Sequence, residues 1–108
     1  MQREFIETLL FTKQWNDLGL TDDDLRVLEC RIAEMPEAAP LIEGTGGLRK
    51  IRIALPGRGR RGGGRVCYVD FALDESVYLI TVYAKNVQET LSAEEKAILR
   101  ELVKRLKG

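Results

Sequence analysis

A chain of 108 residues that is 44% hydrophobic and 31% charged has the size and composition of one ordinary soluble domain. It contains no apolar run near the ~20 residues of a membrane span, and two cysteines are too few for a disulfide framework or a metal cluster. It also has no histidine, which excludes a Ser-His-Asp triad, a Cys-His pair and His-based ribonuclease chemistry, and removes the commonest zinc ligand.

The opening MQREFIETLLFTK is broken by acids and lacks a small-residue cleavage site, so it does not read as a signal peptide. A cytoplasmic protein is the expectation. Residues 3–10 alternate imperfectly between apolar and polar positions, which predicts a half-buried first strand. Phe11, Trp15 and Leu18 then recur at spacings of four and three, predicting a short helix that ends near Gly19. Thr21 precedes Asp22, Asp23 and Asp24, an N-cap followed by acids on the positive end of a helix dipole. Leu25, Leu28, Ile32 and Met35 continue that helix over about 22–35, and Pro36 and Pro40 end it. Cys30 and Cys67 each sit in an apolar pattern, so two buried, inert thiols are expected.

The formal net charge of zero conceals a strong asymmetry. Residues 44–66 carry Arg49, Lys50, Arg52, Arg58, Arg60, Arg61 and Arg65 and no acid, whereas residues 1–43 have a net charge of −6 and residues 67–108 a net of −1. Positive charge concentrated in this way is the footprint of a phosphate partner, most simply nucleic acid. In the segment Leu48 to Leu55, Arg49, Ile51, Ile53 and Leu55 share one strand face; Leu48, Lys50, Arg52 and Ala54 share the other. GRGRRGGG after Pro56 reads as a loop, because glycine disfavours helix and strand interiors. Arg65–Leu73 and Val77–Tyr83 read as strands separated by a turn at Asp74, Glu75 and Ser76. Short connections make these three strands an antiparallel meander. Ser92-Ala-Glu-Glu95 is a capping box, and Ile98, Leu99, Leu102, Val103 and Leu106 form the stripe of a C-terminal helix. The fold class is therefore α+β: a small antiparallel sheet, the N-terminal strand plus the meander, flanked by two N-terminal helices and one C-terminal helix.

Gly57-x-Gly59-x-x-Gly62 fits the dinucleotide-binding spacing, but a strand rather than a helix follows it and arginines fill its variable positions. That context excludes a Rossmann site. A flexible loop of guanidinium groups suits an irregular folded RNA, since arginine forks onto phosphate and stacks on unpaired bases. In the meander, Lys50, Arg52 and Arg65 converge on one end of the sheet, with Lys85 at the end of the following strand. Tyr68 and Tyr78 are expected in the core. Tyr83, two residues before Lys85, is the tyrosine kept as a candidate for base stacking.

Gly44-Thr-Gly-Gly-Leu-Arg-Lys-Ile-Arg-Ile53, the Arg/Gly loop, Arg65-Val-Cys-Tyr68 and Tyr83-Ala-Lys-Asn86 together resemble the HigB branch of the RelE/ParE toxin superfamily. The resemblance implies a RelE-like domain over the whole of residues 1–108, a toxin of a toxin–antitoxin pair, and ribosome-dependent cleavage of translated mRNA by attack of a 2′-hydroxyl on the adjacent phosphate. It implies the ribosome and a cognate antitoxin as partners, with no cofactor, metal or membrane. Lys50 and Arg52 match the basic strand pair of such toxins, Arg65 the arginine opening the next strand, and Lys85 the lysine ending the last strand. Asn86 stands where many relatives have arginine. Arg65, Lys85 and Lys50 are the expected catalytic residues. Arg52, Arg49, Arg58, Arg60, Arg61, Tyr83 and Asn86 are the expected RNA contacts. The alternatives are a gyrase poison of the ParE kind on the same architecture, and a non-catalytic RNA-binding module.

Overall fold

The structure, a computed structural model, describes residues 2–57, 63–86 and 90–107. Its elements are β1 (Glu4–Glu7), α1 (Leu9–Asp17), α2 (Asp22–Glu34), β2 (Leu48–Ile53), β3 (Gly64–Phe71), β4 (Ser76–Ala84) and α3 (Ala93–Leu106). The local signals for the helices are realised as stereochemistry. Thr21 and Ser92 accept from the backbone N–H of Asp24 and Glu95, and those two carboxylates accept in return from the N–H of Thr21 and Ser92. Each reciprocal pair satisfies two donors that a helix start otherwise leaves unpaired.

The sheet order is β1-β4-β3-β2. The meander is antiparallel as expected, but β1 runs parallel to β4, with Glu4 opposite Ser76 and Glu7 opposite Leu79, so the whole sheet is mixed. A parallel neighbour requires a long crossover rather than a tight turn, and everything between β1 and β4 supplies it. The turn between β3 and β4 is a single 3₁₀ turn, Ala72–Asp74, closed by Glu75 in the left-handed region at φ 53°.

Two cores flank the sheet. Phe11, Trp15, Leu28 and Ile32 from α1 and α2 pack on Ile53, Val66, Tyr68, Val77, Leu79 and Val82. On the other face Leu99, Leu102, Val103 and Leu106 of α3 pack with Leu48, Cys67, Val69 and Ile80. Burial of each large side chain of this kind contributes about 1.5–3 kcal/mol. Tyr68 is fully buried and donates its hydroxyl to the Pro36 carbonyl at 2.8 Å. Half-buried Tyr78 meets Phe71 edge-on. Cys67 is buried as expected; Cys30 is exposed, because its position on α2 lies outside the stripe formed by Leu28 and Ile32.

One irregularity decides which side chains reach the site. Leu79 pairs with Tyr68 and Thr81 with Cys67, leaving Ile80 as an extra residue, a β-bulge in β4. Before it, Val77 and Leu79 face α1 and α2; after it, Val82 and Ala84 do. Tyr83 therefore joins Tyr78 and Ile80 on the α3 face. Uninterrupted alternation would have grouped Tyr83 with Val77 and Leu79 instead. Helix α1 and its cap hold the bulge. Thr8 Oγ1 donates to the Ile80 carbonyl at 2.8 Å, and Gln14 Oε1 accepts from Thr81 Oγ1 at 2.9 Å and from the Val82 N–H at 3.1 Å.

Candidate functional site

The period-two reading of β2 holds: Ile51 and Ile53 join the α1–α2 core, while Leu48 joins the α3 core. Lys50 and Arg52 consequently share the face of Leu48. Across the ladder Lys50 pairs with Cys67, and Arg52 with Arg65, which in turn pairs with Tyr83. Two guanidinium-bearing residues directly opposite one another form a like-charge pair that disfavours the sheet. A bound anion would convert that repulsion into a two-sided clamp.

Arg65 is only 6% exposed, and its Nη1 donates to the Gly64 carbonyl at 3.0 Å. Its side chain is thus held in place by its surroundings. Tyr83 is also buried, and its hydroxyl has no hydrogen-bond partner among the described residues. Burial first, then the neighbouring Cys67 thiol, pushes this phenol up to about 12, against an opposing pull from Arg65. The thiol acts on the phenol without meeting it in good hydrogen-bond geometry, so no described residue satisfies the hydroxyl. Burial likewise raises the Cys67 thiol to about 12, with Lys50 acting in the other direction. Glu95 raises both groups, which places the first turn of α3 beside them.

A groove of about 670 Å³ opens at the β2 edge of the sheet. It is lined by Lys50, Arg52, Arg65 and Thr90, and by Arg31, Glu34, Met35, Ala38 and Pro40 from the end of α2 and the loop beyond it. That loop is laced to β2: the Lys50 N–H donates to the Pro40 carbonyl at 3.0 Å, and the Ile42 N–H to the Leu48 carbonyl at 2.8 Å. Arg31 Nη1 reaches the Arg52 carbonyl at 3.0 Å, tying the end of α2 to the same strand.

The expected site residues therefore separate. Lys50, Arg52 and Arg65 meet on the groove. Lys85 and Asn86 are exposed just beyond β4, with the Lys85 N–H bonded to the Gly63 carbonyl at 2.9 Å, and neither lines the groove. Arg49 departs from the expected RNA contact. It points to the opposite face, where its Nη1 donates to the carbonyls of Glu37 at 3.0 Å and Ala39 at 2.8 Å, so the guanidinium anchors the loop. Tyr83 also departs from expectation, since a ring only 9% exposed has no open face on which a base could stack. Arg58, Arg60 and Arg61 lie outside the described residues. Arg31 and Glu34 were missed by sequence reasoning because nothing local links the end of α2 to a strand near residue 50, and Thr90 because it comes from the connection before α3. Among the described residues, no group of three His, Cys, Asp or Glu is placed to hold a metal ion.

The architecture, three helices on a four-strand mixed sheet, is the RelE-like fold. A doubly substituted E. coli toxin RelE in the free state aligns with a TM-score of 0.60 at 20% identity, covering 93% of this chain and 98% of that one. The same E. coli toxin mutant in complex with an antitoxin RelBc peptide aligns with a TM-score of 0.57 at 21% identity, covering 86% and 98% of the two chains. The intact E. coli RelBE toxin–antitoxin complex gives 0.56 at 20% identity, over 76% and 95%. The family model for the RelE toxin of the RelE/RelB toxin–antitoxin system matches residues 6–108, and the chain belongs to that family.

Proposed function

We propose that this protein, a RelE-family toxin of the HigB-like kind, is a ribosome-dependent endoribonuclease acting on translated mRNA. The observation that carries the reading is the meeting of Lys50, Arg52 and Arg65 on one groove without a histidine in the chain. Such a site has few means of acid–base catalysis and ample means of holding a phosphodiester. The substrate supplies the nucleophile. Its 2′-oxygen forms a bond to the adjacent phosphorus as the bond from phosphorus to the 5′-oxygen breaks, leaving a 2′,3′-cyclic phosphate and a 5′-hydroxyl.

Arg65 and Arg52 grip the non-bridging oxygens from two strands and balance the charge that develops on them. Lys50, on the same face, moves a proton between the 2′-hydroxyl and the departing 5′-oxygen, whereas Lys85, the other lysine expected at the site, stands outside the groove. Arg58, Arg60, Arg61 and Asn86 extend the contact along RNA, where each additional phosphate contact steepens the salt dependence of binding. Alignment of substrate against a preset cationic surface, rather than a strong base, supplies the acceleration. The ribosome presents the message in the required geometry. The protein partner is an antitoxin, by analogy with the RelBE complex and the RelBc-bound toxin. With those proposed partners the protein acts in the cytoplasm.

The test is mapping of RNA 5′-ends after brief expression, with and without translating ribosomes. Wild type is expected to yield new 5′-hydroxyl ends within reading frames only when ribosomes translate. Arg65→Ala and Lys50→Ala should each lower cutting by roughly 10²–10³, the effect of removing one charge-stabilising donor. Intact messages under these conditions, with loss of gyrase supercoiling, would instead assign the chain to the ParE-like alternative. Intact messages with supercoiling unaffected would leave a non-catalytic RNA binder.

A further inference from the structure

Helix α3 carries a second band of positive charge, which its own acids conceal in any sum over the segment. Residues 67–108 have a net charge of −1, yet Lys96, Arg100 and Lys104 follow one another at intervals of four. At 3.6 residues per turn they form one ridge that rises about 6 Å at each step, while Glu94 and Glu101 fall on the other flank. Contacts with the chain before β2 show where the ridge points. A methyl at Gly46 would lie 3.6 Å from Arg100 Cγ and 3.9 Å from Val103 Cγ1, and Lys107 Nζ donates to the Gly46 carbonyl at 3.3 Å. That flank of α3 therefore borders the residues leading into β2, the strand whose Lys50 and Arg52 share the α3 face with Leu48. At its other end the ridge starts at Lys96, next to Glu95. Glu95 acts on Cys67 and Tyr83, the cross-strand partners of Lys50 and Arg65. The ridge thus begins at the level of Lys50 and runs along the β2 side of the sheet toward Gly46.

Helix stability does not account for the ridge. Cations are favoured in the last turn of a helix, which suits Lys104 and Arg105, but Lys96 is only the fourth residue of α3 and Arg100 lies in its middle. Like charges four residues apart disfavour a helix, and Lys96 with Arg100 and Arg100 with Lys104 make two such pairs. The adjacent acid, Glu95, is engaged with the Ser92 N–H at 2.9 Å. An anionic ligand lying along the ridge relieves both repulsions. Cationic groups spaced along one line suit the backbone of a single RNA strand, which is tracked by charge rather than by base identity. We infer that the β2-facing flank of α3 is a phosphate track for the RNA strand leaving the groove, with Lys96, Arg100 and Lys104 each meeting a phosphate of that strand. The inference rests on the endonuclease reading for its biological meaning, but binding along the track needs no cleavage.

The test measures binding of the full chain to a trinucleotide and a nonanucleotide of uridine, methylated at every 2′-oxygen so that neither can be cleaved. Wild type should bind the nonanucleotide more tightly than the trinucleotide, which the groove alone accommodates. The variant combining Lys96→Gln, Arg100→Gln and Lys104→Gln should bind the trinucleotide as wild type does and lose the advantage of length. Each lost contact lowers the salt slope by about 0.7, so from 200 to 50 mM salt wild type should gain roughly 20-fold more affinity for the nonanucleotide than the variant gains. Glutamine keeps helix propensity and removes the like-charge pairs, so the variant should melt no lower than wild type. Arg100→Glu alone should weaken the nonanucleotide further than Arg100→Gln, a dependence on charge that a merely structural role would not produce. No gain in affinity with length in wild type, or an unchanged salt slope in the variant, overturns the track. Loss of ribosome association by the variant with nonanucleotide binding intact also overturns it and assigns the ridge to folded ribosomal RNA. Cutting of translated messages by wild type alongside any of these results leaves the nuclease standing. Binding that depends on length and on the ridge, without any cutting, removes the nuclease and leaves the track.

Discussion

Gln14 sits on α1 and does not line the groove, yet its replacement tests how the site is assembled. Gln14→Ala removes the acceptor used by both the Thr81 hydroxyl and the Val82 N–H. Val82 is 1% exposed and Thr81 6%, so water does not readily replace it. A buried donor left unsatisfied costs about 1–3 kcal/mol, and the better helix propensity of alanine returns only a few tenths. A net loss of about 2 kcal/mol is expected, which for a domain of this size lowers Tm by roughly 10 °C. Gln14→Glu retains an oxygen acceptor and should stay within about 0.5 kcal/mol of wild type. Urea unfolding gives the stabilities, and amide exchange at Val82 gives the local effect. In Gln14→Ala that amide should exchange faster than its strand neighbours under conditions where the fold is intact. Equal stabilities for the two variants, or unchanged exchange at Val82, would refute the claim that Gln14 holds the bulge.

Gly64→Ala should be destabilising by about 1–3 kcal/mol in urea unfolding, as overpacked cores are. A methyl there would lie 2.9 Å from Leu55 Cδ2 and 3.0 Å from Ile53 Cγ1, both on buried side chains; an unchanged midpoint would show that they can yield. Native protein should react with a thiol reagent at one site per chain near pH 8, exposed Cys30, and at two after denaturation; two sites in the native state would contradict the burial of Cys67. Alkaline pH should unfold the protein cooperatively. The Cys67 thiol and Tyr83 phenol, ordinarily near 9.0 and 10.0, are both held up to about 12 by burial, so between those values the unfolded chain has lost more protons than the folded one. Stability from these groups is therefore complete below about pH 9 and falls as pH rises toward 12. Tyrosinate absorbance and far-ultraviolet circular dichroism should report the transition together; full ionisation of all three tyrosines below pH 11 with the fold intact would refute it.

What could be read from the sequence was what is local. Thr21 with Asp24 and Ser92 with Glu95 mark helix starts because the whole capping interaction spans four residues. Alternation in β2 correctly separated Lys50 and Arg52 from Ile51 and Ile53 for the same reason. The parallel partnership of β1 with β4 was hidden, since it joins segments with no connecting turn. So was the bulge: SVYLITVYA reads as one continuous strand, and the groups that interrupt it, Thr8 and Gln14, come from another element. Arg49 looked equivalent to its cationic neighbours until the carbonyls of Glu37 and Ala39 claimed it. Charge identified the segment, while only tertiary contacts sorted its members.

The placement of β1 has a bearing on synthesis. Its partner residues begin at Ser76, 72 positions after Glu4, so the first strand made waits for the last before it can dock, a separation that slows folding. Tyr83 and Lys85 emerge later still. Under the proposed activity, a ribosome making this chain is exposed to an incomplete, unfolded precursor for most of the time it takes to translate it. Under that activity, the order in which the strands dock keeps the sheet incomplete until synthesis of the chain is nearly done.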